Sequence, residues 1–283
     1  MVRRKDNRLP KTLNRDQIEF YGRNGYLFPF RCLASEETDA MRDSLDAFER
    51  EEGYSVGSLH FKGHLCFRWS WELAWSTAIL DAVEDLIGPD ILVFASKFWI
   101  KGGGDGSFVS WHQDSAYFGL APHDLVAAWV ALTDSMPDNG CMRVIPGSHR
   151  GAAQSHVETY HDKNLLARGQ TIEEIDESNA VDLELGAGQF SLHHERILHG
   201  SLPNRSDGQR IGLTLFYIPT SVRSTVGRRT ASLVRGVDNY GHWDADPEPL
   251  RDRDPEILAH MREAHVRYRD RSVSQEAQAG SEC

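Results

Sequence analysis

The sequence predicts a mainly β fold, a jelly roll or related closed sandwich, with helices packed against its outside. Three observations point that way. From Ile91 onward, short runs rich in β-branched and aromatic residues follow one another. Turn signals such as Pro137-Asp138-Asn139-Gly140 and Pro203-Asn204 separate them, and the helical patterns are confined to the N-terminal part. Sandwiches and barrels of this kind often run to about 200–250 residues as one unit, so the 283 residues are read as one domain, 1–283.

Residues 1–12 are expected to form a flexible arm whose basic cluster, Arg3, Arg4, Lys5, Arg8 and Lys11, is solvated. Helices then occupy about 15–88. Asn14 precedes Arg15-Asp16-Gln17, so its side chain can cap free amides while Gln17 reaches back, and Asn24-Gly25 ends the helix. Ser35 opens a second helix, with Glu36 and Glu37 suited to its macrodipole and Met41, Leu45 and Phe48 at helical spacing. Residues 53–72 are aromatic and histidine-bearing, without a clear period. A third helix, about 73–87, carries Leu73, Ile79, Val83 and Leu86 and stops at Gly88-Pro89.

The jelly-roll core is placed at about 90–220. Its strands are expected at Ile91 to Ile100, Phe108 to Asp114, Leu125 to Thr133, Cys141 to Ile145, Val181 to Leu185, Gln189 to Leu192 and Arg210 to Ile218. The run Gly102-Gly103-Gly104-Asp105-Gly106 lacks a following Gly-Lys-Ser/Thr and reads as a turn, not a phosphate loop. Residues 151–180 interrupt the strand pattern. They are polar, carry an expected short helix near Thr171 to Ser178, and form either a functional lid or a partly disordered insertion. Residues 221–271 form a second excursion, a C-terminal cover, and 272–283 have a disordered composition.

A balance of 31 Lys and Arg against 42 Asp and Glu gives a formal charge of -11, which argues against nucleic acid as a partner. No apolar run approaches the roughly 18 residues a membrane span requires, so no membrane partner is expected either. Cys32, Cys66, Cys141 and Cys283 have no metal or disulfide spacing. Together these features fit a cytoplasmic protein.

The chemistry resides in a few residues. Two imidazoles and one carboxylate can occupy one face of an octahedral iron(II) and leave three positions open. His112 and Asp114 lie two apart in a strand and so share a face, and His199 comes from a later strand end. Arg210 opens an apolar strand, where a buried guanidinium needs an anion. Its planar fork suits a carboxylate, and the Ser201 hydroxyl adds a further donor.

Trp111-His112-Gln113-Asp114, Ala127-Ala128-Trp129-Val130-Ala131-Leu132, Asp138-Asn139-Gly140-Cys141 through Pro146-Gly147-Ser148-His149, and His199-Gly200-Ser201 with Asn204, Ser206 and Arg210 occur in this order. In them the chain resembles the phytanoyl-CoA dioxygenase family of iron(II)/2-oxoglutarate oxygenases. The resemblance implies a double-stranded β-helix, a cupin-like jelly roll. It implies His112, Asp114 and His199 as metal ligands, Arg210 and Ser201 on the far carboxylate of 2-oxoglutarate, and O2 as the oxidant. By the same resemblance Trp129 sits near the cosubstrate, though an inward core position explains it as well. His149 reads as part of a turn. The wording from Gly188 to Pro219 and from Leu233 to Asp238 is closer to the branch containing aliphatic halogenases, which lack the metal-binding aspartate. This chain keeps Asp114, which argues for hydroxylation or a related oxidation.

The implied reaction oxidises an unactivated C–H while 2-oxoglutarate becomes succinate and CO2. A small polar or natural-product metabolite is the expected substrate. Candidate contacts are Phe98, Trp99, Lys101, Trp111 and Trp129, with His60, His64, Arg68 and Trp69 from the stretch without a period. The alternatives are a non-redox cupin-like isomerase or ligand-binding protein, which would not need Arg210 and Ser201 after His199, and a halogenase.

Overall fold

The structure, a computed structural model, describes residues 9–59, 61–166 and 169–269. Most of the basic arm, His60 and the C-terminal tail with Cys283 therefore lie outside the described residues.

The first helix, Arg15–Asn24, forms as its caps dictate. The Asn14 side chain accepts from the Gln17 amide at 2.8 Å, Gln17 accepts from the Asn14 amide at 2.9 Å, and Gly25 closes the end with φ 83°. The second runs Ser35–Glu52, with Glu37 accepting from the Ala34 amide. Where one helix is expected over 73–87 there are two, Arg68–Ala74 and Thr77–Ile87. Ser70 supplies the early start by accepting from the Phe67 amide, and Trp75, with ψ near 3°, breaks the ladder.

Seven strands form the larger sheet, in the order Tyr26–Arg31, Gln189–His194, Val126–Ala131, Arg210–Pro219, Ile91–Lys101, Thr230–Arg235 and Asp244–Ala245. Opposite it lie Val109–His112, His199–Ser201, Met142–Val144 and Val181–Leu183. All these pairs are antiparallel except the last pair of the larger sheet. The result is the jelly roll expected from turn spacing.

All ten residues of Arg210–Pro219 are buried because both faces of that strand are covered. Leu213, Leu215 and Tyr217 face the helices with Leu45, Phe48, Ile79 and Val83, whereas Arg210, Thr214 and Phe216 face the inside of the roll. Burying each large apolar side chain contributes about 1.5–3 kcal/mol, so this helix-covered face is a main source of stability. It also fixes which side chains of the strand point inward.

The 151–180 segment differs from expectation. No helix forms at Thr171 to Ser178. Instead Gln170–Thr171 pairs with Val157–Glu158. The Ile172 amide donates to Trp111 O at 2.8 Å, and Glu177 accepts from Trp111 and Arg143, so local side-chain and strand partners outcompete a helix. Further bonds join Phe108 to Lys163 and Leu165, and Asn164 donates to Ser110 Oγ. The described residues of the segment are thus laid along Phe108–Gln113 as a bonded strap. The stretch Arg235 to Tyr240 does not reach the inside of the roll. Arg235 pairs with Asp81 and Glu84, beside Ile91 and at the far end of that strand from Lys101. Among the described residues no helix is long and apolar enough to cross a membrane.

Candidate active site

The cavity between the two sheets is built from strand ends. His112 ends its strand and His199 opens the neighbouring antiparallel one, and the two are cross-strand partners in register. Their rings lie 4.0 Å apart between centroids. Asp114 does not continue the strand as expected. It sits in helical backbone conformation at the turn into the short helix Ser115–Phe118, and the turn rather than strand alternation aims its carboxylate inward. One ligand atom from each of the three lies within 4.8 Å of the others, and all three residues are buried.

Backbone carbonyls fix the imidazoles. His112 Nδ1 lies 2.9 Å from Ser110 O and His199 Nδ1 lies 3.0 Å from Ile197 O. A carbonyl can only accept, so each Nδ1 carries the proton and each Nε2 presents its lone pair to the cavity. Burial pushes the Asp114 carboxyl up, but His199, His112 and His193 outweigh it and hold the group well below the usual carboxylate range. Burial and the neighbouring His112 pull His199 well below its usual value, so it is neutral. Among the described residues, buried His112 Nε2 and Asp114 Oδ2 have no hydrogen-bond partner. Two imidazoles that turn Nε2 to the cavity and a carboxylate, with ligand atoms converging and unspent, fit a divalent metal.

Arg210 enters the same cavity. It is 2 % exposed, its guanidinium lies 5.2 Å from the Trp129 ring, and neither Nε nor Nη2 has a partner among the described residues. Burial lowers its pKa to about 10, so it remains charged. A charged fork with unspent donors in a closed cavity calls for a carboxylate. Trp129 therefore both packs in the inner core and lies beside that fork. Lys101, expected at the substrate, lies instead at this end, where its Nζ donates to Ser201 Oγ at 2.7 Å, to Gly140 O at 3.2 Å and to Leu202 O. Burial and the charge of Arg210 pull the Lys101 pKa down to about 6, and the amine holds the Ser201 side chain at the cavity edge.

The remaining expected substrate contacts divide. Trp99 lines the cavity, its indole donating to Thr214 Oγ1 at 2.8 Å. Phe98, one residue on, faces the other way and packs on Phe67 and Trp69, so strand alternation gives it a core role. Trp111 points outward from its strand, bonded to Glu177 and lying 5.7 Å from the Arg143 guanidinium. Arg68 is spent on Pro249 O, Glu248 and Glu72, away from the cavity. His64 bonds Ser96, and Trp69 bonds Ser44. His149 Nε2 lies 3.3 Å from Gly22 O, as suits a turn residue.

Two residues of the region went unnoticed in the sequence. His193, 1 % exposed, lies 3.7 Å from Asp114 Oδ2 with neither ring nitrogen hydrogen-bonded. Lys97 lies beside Trp99, its Nζ 3.9 Å from that ring's centroid. Each is a polar residue on a strand that alternates or interrupts apolar positions, a pattern that does not single it out before the opposite wall is known.

A family model described as phytanoyl-CoA dioxygenase matches residues 21–212. The chain is 30% identical over 202 residues to a probable alpha-ketoglutarate-dependent hypophosphite dioxygenase of Stutzerimonas stutzeri, a match covering 70% of this chain and 67% of that protein. It is 26% identical over 232 residues to an ectoine dioxygenase of Halomonas elongata, covering 72% and 70% respectively. Among solved structures, the apo form of ThoJ, a non-heme monooxygenase, superposes with a TM-score of 0.80 at 34% identity, covering 93% of this chain and 100% of that one.

Proposed function

Because the chain belongs to the phytanoyl-CoA dioxygenase family and is an iron(II)- and 2-oxoglutarate-dependent oxygenase, we propose that it hydroxylates, or otherwise oxidises, an unactivated C–H of a small polar or natural-product metabolite. In this reading His112, Asp114 and His199 hold the iron, and Arg210 with Ser201 holds the far carboxylate of 2-oxoglutarate. The observation that carries it is the pairing, in one cavity, of three converging ligand atoms with a buried guanidinium that has unspent donors.

Iron bound with 2-oxoglutarate and O2 supplies the oxidising power, with succinate and CO2 released. The chain's own residues prepare that chemistry. Ser110 O and Ile197 O hold the two imidazole rings by their Nδ1 atoms, so that Nε2 of each is aimed where the metal would bind. Asp114 is already ionised. Arg210 and Ser201 would orient the cosubstrate, and Lys101 Nζ, 2.7 Å from Ser201 Oγ, holds that side chain in place. Trp99, Trp129 and Phe216 line the walls and exclude water.

With Asp114 as the third ligand, no place would be left free for a halide, which favours oxygen insertion over halogenation. The non-redox cupin-like alternative gives no reason for Arg210 to be buried with free donors. The test is metal and cosubstrate binding. Wild type should bind one iron(II) and release succinate from 2-oxoglutarate. His112→Ala and His199→Ala should each lower iron affinity at least tenfold in a chelator competition while circular dichroism stays that of wild type. Wild-type iron affinity in both variants would overturn the assignment.

A further inference from the structure

Three buried basic side chains, Lys101, Arg210 and Lys97, lie along two paired strands of the roll, and their partners differ. Lys101 spends its Nζ on three oxygens. Arg210 has unspent donors and, in the reading above, receives 2-oxoglutarate. Lys97 is only 9 % exposed, yet among the described residues its Nζ has a single acceptor, Leu165 O, and otherwise rests on the Trp99 ring. No carboxylate of the described residues pairs with it. A buried ammonium without a counter-anion is costly unless an anion arrives from outside.

Its position says from where. Lys97 and Trp99 line a groove of about 620 Å³ that runs between the 160–166 strap and the Ile91–Lys101 strand, and Trp99 also lines the cavity holding His112 and Asp114. That volume lies within the roughly 300–1,000 Å³ of small-molecule sites. Lys97 pairs in register with Thr214, a wall residue of the metal cavity. The ammonium thus stands at the junction of groove and cavity.

We propose that Lys97 is the specificity-determining residue that pairs with an anionic group of the substrate, a single carboxylate, and so holds the neighbouring C–H at the cavity mouth. The proposal rests on the oxygenase reading, since it takes the groove as the route to that centre. Burial pulls the Lys97 ammonium down to about 7, opposed by the charge of Asp114, so an arriving carboxylate would return the charge stabilisation that burial removes. The groove's other described charges set the class. Glu49, Asp105 and Asp162 line it, which disfavours a polyphosphate-bearing substrate and suits a monocarboxylate or zwitterion.

The test uses matched acid and amide probes, acetate and acetamide, hexanoate and hexanamide, phenylacetate and phenylacetamide, titrated calorimetrically into the full chain. Mn(II) and saturating 2-oxoglutarate are present, so that Arg210 is occupied. In wild type at least one acid should bind ten or more times tighter than its amide. Lys97→Met should abolish that preference while leaving amide affinity unchanged, and Lys97→Arg should keep part of it. A lysine that only props the strap would weaken acid and amide alike in Lys97→Met, which overturns the proposal. So does the absence of any acid preference in wild type, or its persistence in Lys97→Met. Binding of 2-oxoglutarate is measured first, and its failure in wild type counts against the oxygenase reading instead. If Lys97→Met unfolds, Lys97→Arg decides: a preference for the amide there sinks the idea.

Discussion

Arg210 shows how one buried charge is made useful rather than merely tolerated. Its guanidinium is surrounded by Trp129 and the strand core, and the donors it leaves unspent face a cavity that also contains the ligand triad. Losing one partner of a buried, hydrogen-bonded charge pair typically costs about 2–5 kcal/mol. Arg210→Ala should therefore raise the apparent constant for 2-oxoglutarate roughly 30-fold or more. Lys at 210 should rescue only part of this, because a point charge cannot present two parallel donors. Succinate release titrated against 2-oxoglutarate measures it. An unchanged constant in Arg210→Ala would make the arginine structural.

At the scale of elements, the strand Arg210–Pro219 is the hinge of the design, since it carries Arg210 and floors the cavity. Gly212 on this strand lets the Trp129 indole lie across it. A Cβ there would stand 2.1 Å from Trp129 Cζ2 and 2.6 Å from Cε2, a distance no pair of atoms can hold. Gly212→Ala must turn Trp129 and, with it, the surroundings of Arg210. Overpacking of this kind costs about 1–3 kcal/mol. We expect a lower melting temperature and a weaker hold on 2-oxoglutarate, smaller in effect than Arg210→Ala, read by thermal unfolding and the same succinate titration. A variant with wild-type cosubstrate dependence would refute the link. The sequence made this strand legible through its apolar run. The proximity of His112 and Asp114 was legible through their spacing, although the backbone that aims Asp114 is a turn and not a strand. Neither the alternation that sends Phe98 and Trp111 away from the cavity nor the strap's side-chain bonds could be read, because both depend on which strands become neighbours. Lys97 and His193 went unread for a related reason: a polar residue among other polar positions of a strand has no meaning until the opposite wall is known.

Across the whole molecule, one buried carboxylate ties together parts of the chain that are remote in sequence. Asp246 accepts from Lys62 Nζ at 2.8 Å in the N-terminal loop region and from Ser232 Oγ at 2.9 Å on the larger sheet, and lies 3.1 Å from His260 Nε2 on the helix Pro255–Arg269. Its side chain is fully buried, and Lys62 also donates to Thr230 O at 2.8 Å. Burial pushes the Asp246 carboxyl up, but Lys62, His260 and His64 outweigh it and hold the group well below the usual carboxylate range. A carboxylate whose folded pKa is depressed contributes stability that is whole above its unfolded value, about 3.9, and is lost as pH falls from there toward the folded value. Asp246→Asn should thus be less stable than wild type at pH 7 by about 3–5 kcal/mol, the cost of stranding Lys62 in the interior. The gap should narrow below about pH 4 as wild type loses the same charge. Replacing both partners, Lys62→Met with Asp246→Leu, should recover part of the loss, since no buried charge is then left alone. Urea unfolding of the three proteins at pH 7 and at low pH tests all of this. A gap that stays constant with pH would mean that Asp246 acts through its shape and hydrogen bonds and that its charge contributes nothing to holding the helix to the roll.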